Sequence, residues 1–529
     1  MAVGKRLVSA NAVMVLAVVM AGILVRFAFA AAKTDFHVDE GYSVAITTGD
    51  WMPGEDAVAH NKWLSRDEVW DTVFLRKLSG PVKSGFSGIS AATGRDVHPP
   101  LYYWAYGAFR ALMGPENFAL SGYSLNLFLF AITCALLSAI VWRIRRNWID
   151  VSLTLALFVF SSTAISLTVF IRMYELLQTV CVAFLACALF VLFPVKGRHG
   201  TVATVLSIAG LCATSFAGLL THYYFLFFLL PVTAFSAVYL LSRLRLSSLL
   251  WCVLAVALGL YLAYRTFPQM EAHLVESYRA RQSVNALGRS FGISSVSRLV
   301  VFAKMVAESL IPLVALLAAI VLAVATRIRE AKAPEARARR LAGRSPLAVP
   351  ALVLFLCAFA ATFIPFALSA PYRSARYIGA FFPVYALAFA SFSFLALPRH
   401  AARVLLGATV LLVAINGVQP SSLCAFHEDY SIEGPTVFMR DDKPLILMST
   451  GEGVGWKNML VYVNLGRDKR IYVANGSAGS DITARLKYLA RESGGTVAYA
   501  LVENLFSVPP ALERIGYYGF YSVYRIPVE

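Results

Sequence analysis

Long apolar runs follow one another along this chain, separated by short polar or basic breaks. A helical run of about 18 residues or more matches the hydrocarbon thickness of a bilayer. Such runs fall near 7–32, 118–142, 149–171, 173–195, 202–220, 223–242, 248–266, 302–326, 347–369, 376–397 and 402–419, which predicts about eleven spans. Lys5 and Arg6 precede the first run, which is too long for a signal-peptide core and has no convincing small-residue cleavage site; it reads as a retained span. The segment Leu101–Met113, at about 1.5 Å per residue, is too short to cross and reads as a juxtamembrane or re-entrant helix.

Two regions break this rhythm. The first loop, 33–99, is long and carries Trp51, Trp63 and Trp70 among apolar residues at mixed helical spacing, as expected of short helices lying in the interface. After about residue 420, Leu445–Ser449, Arg470–Val473, Val497–Val502 and Tyr521–Ile526 read as strands. Helical stretches near Trp456–Leu465, Ile482–Glu492 and Pro510–Ile515 alternate with them, the pattern of a small α/β domain. Gly451-Glu452-Gly453-Val454-Gly455 has part of a dinucleotide-loop spacing but lacks the third glycine, and reads as an ordinary strand-to-helix turn. The expected fold is a polytopic α-helical membrane protein: a transmembrane domain over 1–420 and an extracytoplasmic α/β domain over 421–529.

Composition agrees with this reading. Hydrophobic residues make up 58% of the 529 and charged residues 15%, which excludes an ordinary soluble domain. The net charge of +17 does not point to nucleic acid, because the basic residues cluster in every second connection between spans. These clusters are Lys5/Arg6, Arg143/Arg145/Arg146, Lys196/Arg198, Arg243/Arg245, the 327–344 segment and Arg399/Arg403, and the positive-inside rule places them in the cytoplasm. The 33–99 loop, Arg172, His222, the 267–300 loop, Arg373/Arg376 and the C-terminal region then face outward. Six cysteines lie in apolar runs and only Cys424 in a polar stretch, with neither a disulfide framework nor a zinc spacing.

Candidate chemistry collects on that outer side. Asp39 and Glu40 adjoin the end of the first span, where carboxylates are usually kept for substrates, ions or protons. The stretch Arg95-Asp96-Val97-His98-Pro99-Pro100-Leu101-Tyr102-Tyr103 brings an acid and an imidazole to a proline-fixed helix start. Arg172-Met173-Tyr174-Glu175, Thr221-His222-Tyr223-Tyr224 and Arg373-Ser374-Ala375-Arg376-Tyr377 set a cation or histidine beside tyrosine at three further outer boundaries. Anchoring alone would spread such residues over both faces.

Asp39-Glu40-Gly41-Tyr42-Ser43, Asp96-Val97-His98-Pro99-Pro100-Leu101-Tyr102-Tyr103, Arg172-Met173-Tyr174, Thr221-His222-Tyr223-Tyr224 and Arg376-Tyr377 together resemble the bacterial branch of the GT-C glycosyltransferases, related to protein O-mannosyltransferases and the aminoarabinose transferase of lipid A. The resemblance covers about residues 1–420. It implies transfer of a sugar from a polyprenyl-phosphate donor to a lipid, glycan or protein acceptor at the outer face of the cell membrane. Asp39 matches the family's first-loop acid and would be the general base, with Glu40 positioning it or binding the acceptor. Arg172, His222 and Arg376 would take the donor phosphate, with Tyr174 and Tyr377 lending hydrogen bonds. Asp96, His98, Tyr102, Glu175, Tyr223 and Arg373 are the substrate-binding candidates, and a divalent cation (Mg or Mn) held by Asp39 with Asp96 and His98 is left open. The competing readings are a lipid or polysaccharide transporter or flippase, and a membrane scaffold whose outer domain binds partners. Against the first, the charges gather at one boundary rather than at mid-span.

Overall fold

The structure is a computed structural model that describes residues 2–33, 35–49, 58, 61–75, 85–194, 198–276, 281, 293–332, 335, 345–370, 374–418, 438–439, 441–450, 454–477, 480–507 and 512–528. Trp51, Lys196, Arg344, Arg373, Cys424 and Gly451 to Gly453 lie outside the described residues.

The apolar runs form helices. In chain order the helices are α1 (Ala2–Ala32), α2 (Val38–Ile46), α3 (Arg66–Trp70) running into a π turn (Asp71–Leu75), α4 (Gly85–Arg95), α5 (Leu101–Met113) and α6 (Phe118–Arg145). They continue as α7 (Trp148–Val159), α8 (Ser162–Thr168), α9 (Tyr174–Leu192), α10 (Arg198–Thr221), α11 (Phe225–Ser242), α12 (Leu246–Thr266) and α13 (Met270–Val275). After these come α14 (Ile293–Ser309), α15 (Leu313–Lys332), α16 (Ala348–Ser369), α17 (Arg376–Gly379), α18 (Phe382–Ala396), α19 (Arg399–Gly417), α20 (Val454–Asn464) and α21 (Thr483–Glu492).

Among the described residues, eight helices are long and apolar enough to cross a membrane, and up to ten spans result if each bent pair counts once. The expected 149–171 run is α7 and α8, bent by 67°, and the 302–326 run belongs to α14 and α15, bent by 89°. Pro312 explains the second break, since it has no N–H to continue the helix from Ser309. At the first break Ser161 turns extended, and Gly417 of α19 comes so close that a Cβ there would lie 2.0 Å from the Phe160 carbonyl. The 376–397 run is likewise divided, into α17 and the 15-residue α18. Leu101–Met113 is the single short helix expected.

The chain forms two compact units. The first comprises Met1–Ala31, Val97–Tyr102 and Tyr123–Phe426. In it α10 packs on α9 and α12, α16 on α11 and α18, and α19 on α7. Gly259 brings α12 onto the backbone of α10, where a Cβ would meet the Cys212 carbonyl at 2.3 Å. Part of the basic patterning also has a packing role: Asp150 is fully buried between Arg145 Nε at 3.1 Å and Arg403 Nε at 2.8 Å, tying α6, α7 and α19 together.

The second unit comprises Ala32–Asp96, Tyr103–Gly122 and His427–Glu529. Among the described residues its six strands are β1 (Lys62–Ser65), β2 (Leu445–Thr450), β3 (Arg470–Gly476), β4 (Val497–Glu503), β5 (Glu513–Tyr518) and β6 (Tyr521–Pro527), in the order β1-β3-β2-β4-β6-β5. The pairs β2/β3 and β2/β4 are parallel and the other three antiparallel. Ile446, Met448, Ala500 and Val502 share a core with Leu486 and Leu489 of α21. Two expectations are corrected here. The stretch near 510–515 read as helical enters β5, and its partner β6 follows across a tight Gly519 turn at φ 58°. Trp63 does not lie on an interfacial helix but in β1, opposite Tyr472, with ring centroids 5.3 Å apart. Trp70 is buried and donates to the Tyr462 carbonyl at 2.9 Å.

Candidate active site

In the second unit, His37 caps α2: its Nδ1 accepts the Asp39 N–H at 3.1 Å, while Glu40 Oε2 accepts the His37 N–H at 2.8 Å. Both acids thus fall in the first turn, where the helix dipole favours negative charge. Their environments then diverge. Glu40 is 0% exposed and its other oxygen meets Lys33 Nζ at 2.5 Å. Burial pulls the Lys33 ammonium below its usual value, and the Glu40 carboxylate opposes that pull. Asp39 keeps 21% of its side chain exposed, with Oδ2 3.7 Å from His37 Nδ1. Of the two, Asp39 is the more exposed, and Glu40 is engaged in the cap and the ion pair.

The far end of α2 is held by a residue that no sequence motif singles out. Arg110, fully buried in α5, donates to the Val44 carbonyl at 3.0 Å, Thr47 Oγ1 at 2.5 Å, the Phe74 carbonyl at 3.2 Å and the Pro115 carbonyl at 2.9 Å. Its only sequence signal was an arginine inside an otherwise apolar thirteen-residue helix. Asp96, half-buried, ends α4 in the same unit.

In the first unit, Arg172, His98, His222, Tyr174 and Tyr377 form one cluster. Arg172 Nη2 lies 3.4 Å from His98 Nε2, and the His98 and His222 rings meet edge-on at 5.9 Å. Tyr174 lies 6.0 Å from the His222 ring, while Tyr224, not among the expected residues, links His222 at 4.3 Å to Tyr377 at 5.9 Å. The Arg376 guanidinium stands 5.3 Å from the Tyr377 ring. His222 Nδ1 accepts the Tyr224 N–H at 3.1 Å, so in the neutral ring the proton sits on Nε2 as a donor. Burial, reinforced by His98 and then Arg172, holds the His222 pKa well below the ordinary imidazole value. The ring is neutral at physiological pH.

The Arg172 turn is built from below. Asn126 donates to the Thr168 and Phe170 carbonyls at 3.0 Å each, and Tyr102 reaches Asn126 Oδ1 at 3.3 Å. Fully buried Arg26 donates to Thr168 Oγ1 at 2.9 Å and to the Val159 carbonyl at 2.8 Å. Glu175 is also fully buried, with Oε2 3.1 Å from Thr168 Oγ1 and 3.3 Å from Gln178 Nε2. Glu175 and Tyr102, expected as substrate contacts, therefore face the scaffold of the turn, because a long polar side chain inside packed helices takes the nearest polar partner. Tyr223 bonds His273 Nδ1 at 2.8 Å. Among the described residues no three His, Cys, Asp or Glu side chains gather as a metal group.

No family model matches this sequence, and no curated protein matches it. Among the solved structures that match, two do so along nearly the whole length. ArnT from Cupriavidus metallidurans bound to undecaprenyl phosphate is 12% identical, over 97% of this chain and 97% of that one, with a TM-score of 0.47. ArnT from the same organism in the apo state is 12% identical over 98% of each chain, with a TM-score of 0.49. Likenesses this distant leave the functional reading to the chain's own residues.

Proposed function

We propose that the protein is an integral-membrane glycosyltransferase moving a sugar from a polyprenyl-phosphate donor to an acceptor hydroxyl on the extracytoplasmic face, with Asp39 as general base. The observation that carries this reading is the division of labour between the two adjacent acids. Glu40 is fully buried in the capping box and on Lys33, whereas Asp39, in the same first turn, keeps 21% of its side chain exposed. Asp39 takes the acceptor proton, the freed oxygen pair forms the bond to the anomeric carbon, and the bond from that carbon to the phosphate oxygen breaks. Attack from the face opposite the leaving group inverts the centre. Negative charge grows on the departing phosphate, which Arg172 and Arg376 offset as cations and neutral His222 meets with its Nε2–H. Tyr174 and Tyr377 add donors.

The test is a reconstituted assay offering polyprenyl-phosphate sugars and membrane-extract acceptors while following free polyprenyl phosphate. Asp39→Asn is expected to lower kcat by about 10²- to 10⁴-fold with folding and donor binding retained. Equal release by wild type and Asp39→Asn would remove Asp39 from the chemistry. Release by neither would favour a transporter.

A further inference from the structure

Asp39 is only as well placed as the chain that leads into α2, and one side chain from far along the sequence holds that chain. The Asn464 carboxamide, at the end of α20, accepts the Phe36 N–H through Oδ1 at 2.7 Å and donates to the Phe36 carbonyl through Nδ2 at 2.8 Å. The two residues are 428 positions apart. Nδ2 also donates to the Leu460 carbonyl at 2.9 Å, which fixes the side chain against its own helix. A carboxamide presents a donor and an acceptor side by side at any ordinary pH, so it pairs with one residue's backbone as a strand would. Phe36 directly precedes the capping residue His37, and its ring lies 5.1 Å from that of Phe118.

The same helix supports α2 one turn further on. A Cβ on Gly41 would come within 2.6 Å of Met459 Cγ and 3.3 Å of the Met459 carbonyl, so bare backbone of α2 rests on α20. The acidic helix is thus seated on an element of the C-terminal α/β fold.

We infer that Asn464 is a positioning residue: through the Phe36 clamp it fixes the start of α2 and with it the Asp39 carboxylate, which makes the C-terminal region part of the machinery rather than an appendage. The consequence for catalysis rests on the reading of Asp39 as base, whereas the hold on α2 does not. A displacement on the order of 1 Å at a reacting group lowers turnover up to about 100-fold without weakening ground-state binding.

The experiment uses full-length protein in detergent with Asn464→Ala and Asn464→Asp, the latter keeping the acceptor for Phe36 and losing the donor. Two readouts are taken: amide hydrogen exchange of residues 36–46 against peptides from β2, β3 and β4, and donor-dependent transfer kinetics. Asn464→Ala is expected to raise exchange over 36–46 while the strands stay protected, and to lower kcat by about 10- to 100-fold with KM for the donor within about 2-fold. Asn464→Asp should fall between. Unchanged exchange over 36–46, a rise spread evenly over the strands, or full kcat in Asn464→Ala would each overturn the inference. If wild type itself transfers no sugar, the glycosyltransferase reading fails, and the exchange arm alone decides whether Asn464 holds α2.

Discussion

His222 shows how burial sets what a side chain can do. Held well below its ordinary pKa, it refuses a proton that the unfolded chain accepts once the pH drops below 6.5. Its contribution to stability is therefore complete above that value and is lost as the pH falls, at up to about 1.4 kcal/mol per pH unit. Thermal unfolding in detergent between pH 7.5 and 5 is expected to show a steep acid-side decline for wild type and a shallower one for His222→Gln; parallel curves would show that His222 titrates as in the unfolded chain. The candidate residues themselves were readable from the chain, because an acid pair or a cation beside tyrosine is conspicuous at the edge of an apolar run. Their roles were not. Glu40 differs from Asp39 only through Lys33 and the cap, and Glu175 differs from Tyr174 only by pointing toward Thr168 and Gln178. Arg26, Arg110 and Asn464 carry no such signal for a related reason: each has its meaning in partners remote along the chain, such as Thr168 for Arg26.

Among elements, close helix contacts rest on positions without side chains. Between α10 and α12 the neighbouring atom is backbone, which cannot swing aside. Gly259→Ala should separate these helices and lower stability by about 1–3 kcal/mol. Gly407→Ala, on α19 with nothing within 4 Å of its Cβ, serves as the comparison and should be neutral or slightly stabilising. Equal unfolding temperatures for the two variants would contradict the packing described. Hydropathy located the helices well, since the apolar runs return as helices at nearly their expected places. It did not disclose the bends beside Ser161 and Pro312, because a run of apolar residues has the same composition whether straight or broken. Strand β1 was hidden as well: four residues of which only Leu64 is buried are too few to show a period.

For the molecule as a whole, the basic clusters predict which side each surface faces. In a variant lacking the native cysteines, Tyr488→Cys on exposed α21 should react with a membrane-impermeant maleimide in intact cells, and His400→Cys at the start of α19 only after permeabilisation. The reverse pattern would invert the proposed topology. The sheet itself has a consequence for how the protein is made. Ser65 pairs with Arg470, and Phe36 waits for Asn464. At about 5–20 residues per second, the ribosome delivers the second partner on the order of a minute after the first. Throughout that interval the apolar spans are being inserted while the acidic helix has no seat and the β1 edge no neighbour. A newly made chain therefore holds α2 without its seat until Asn464, 428 positions after Phe36, has been translated and α20 has folded.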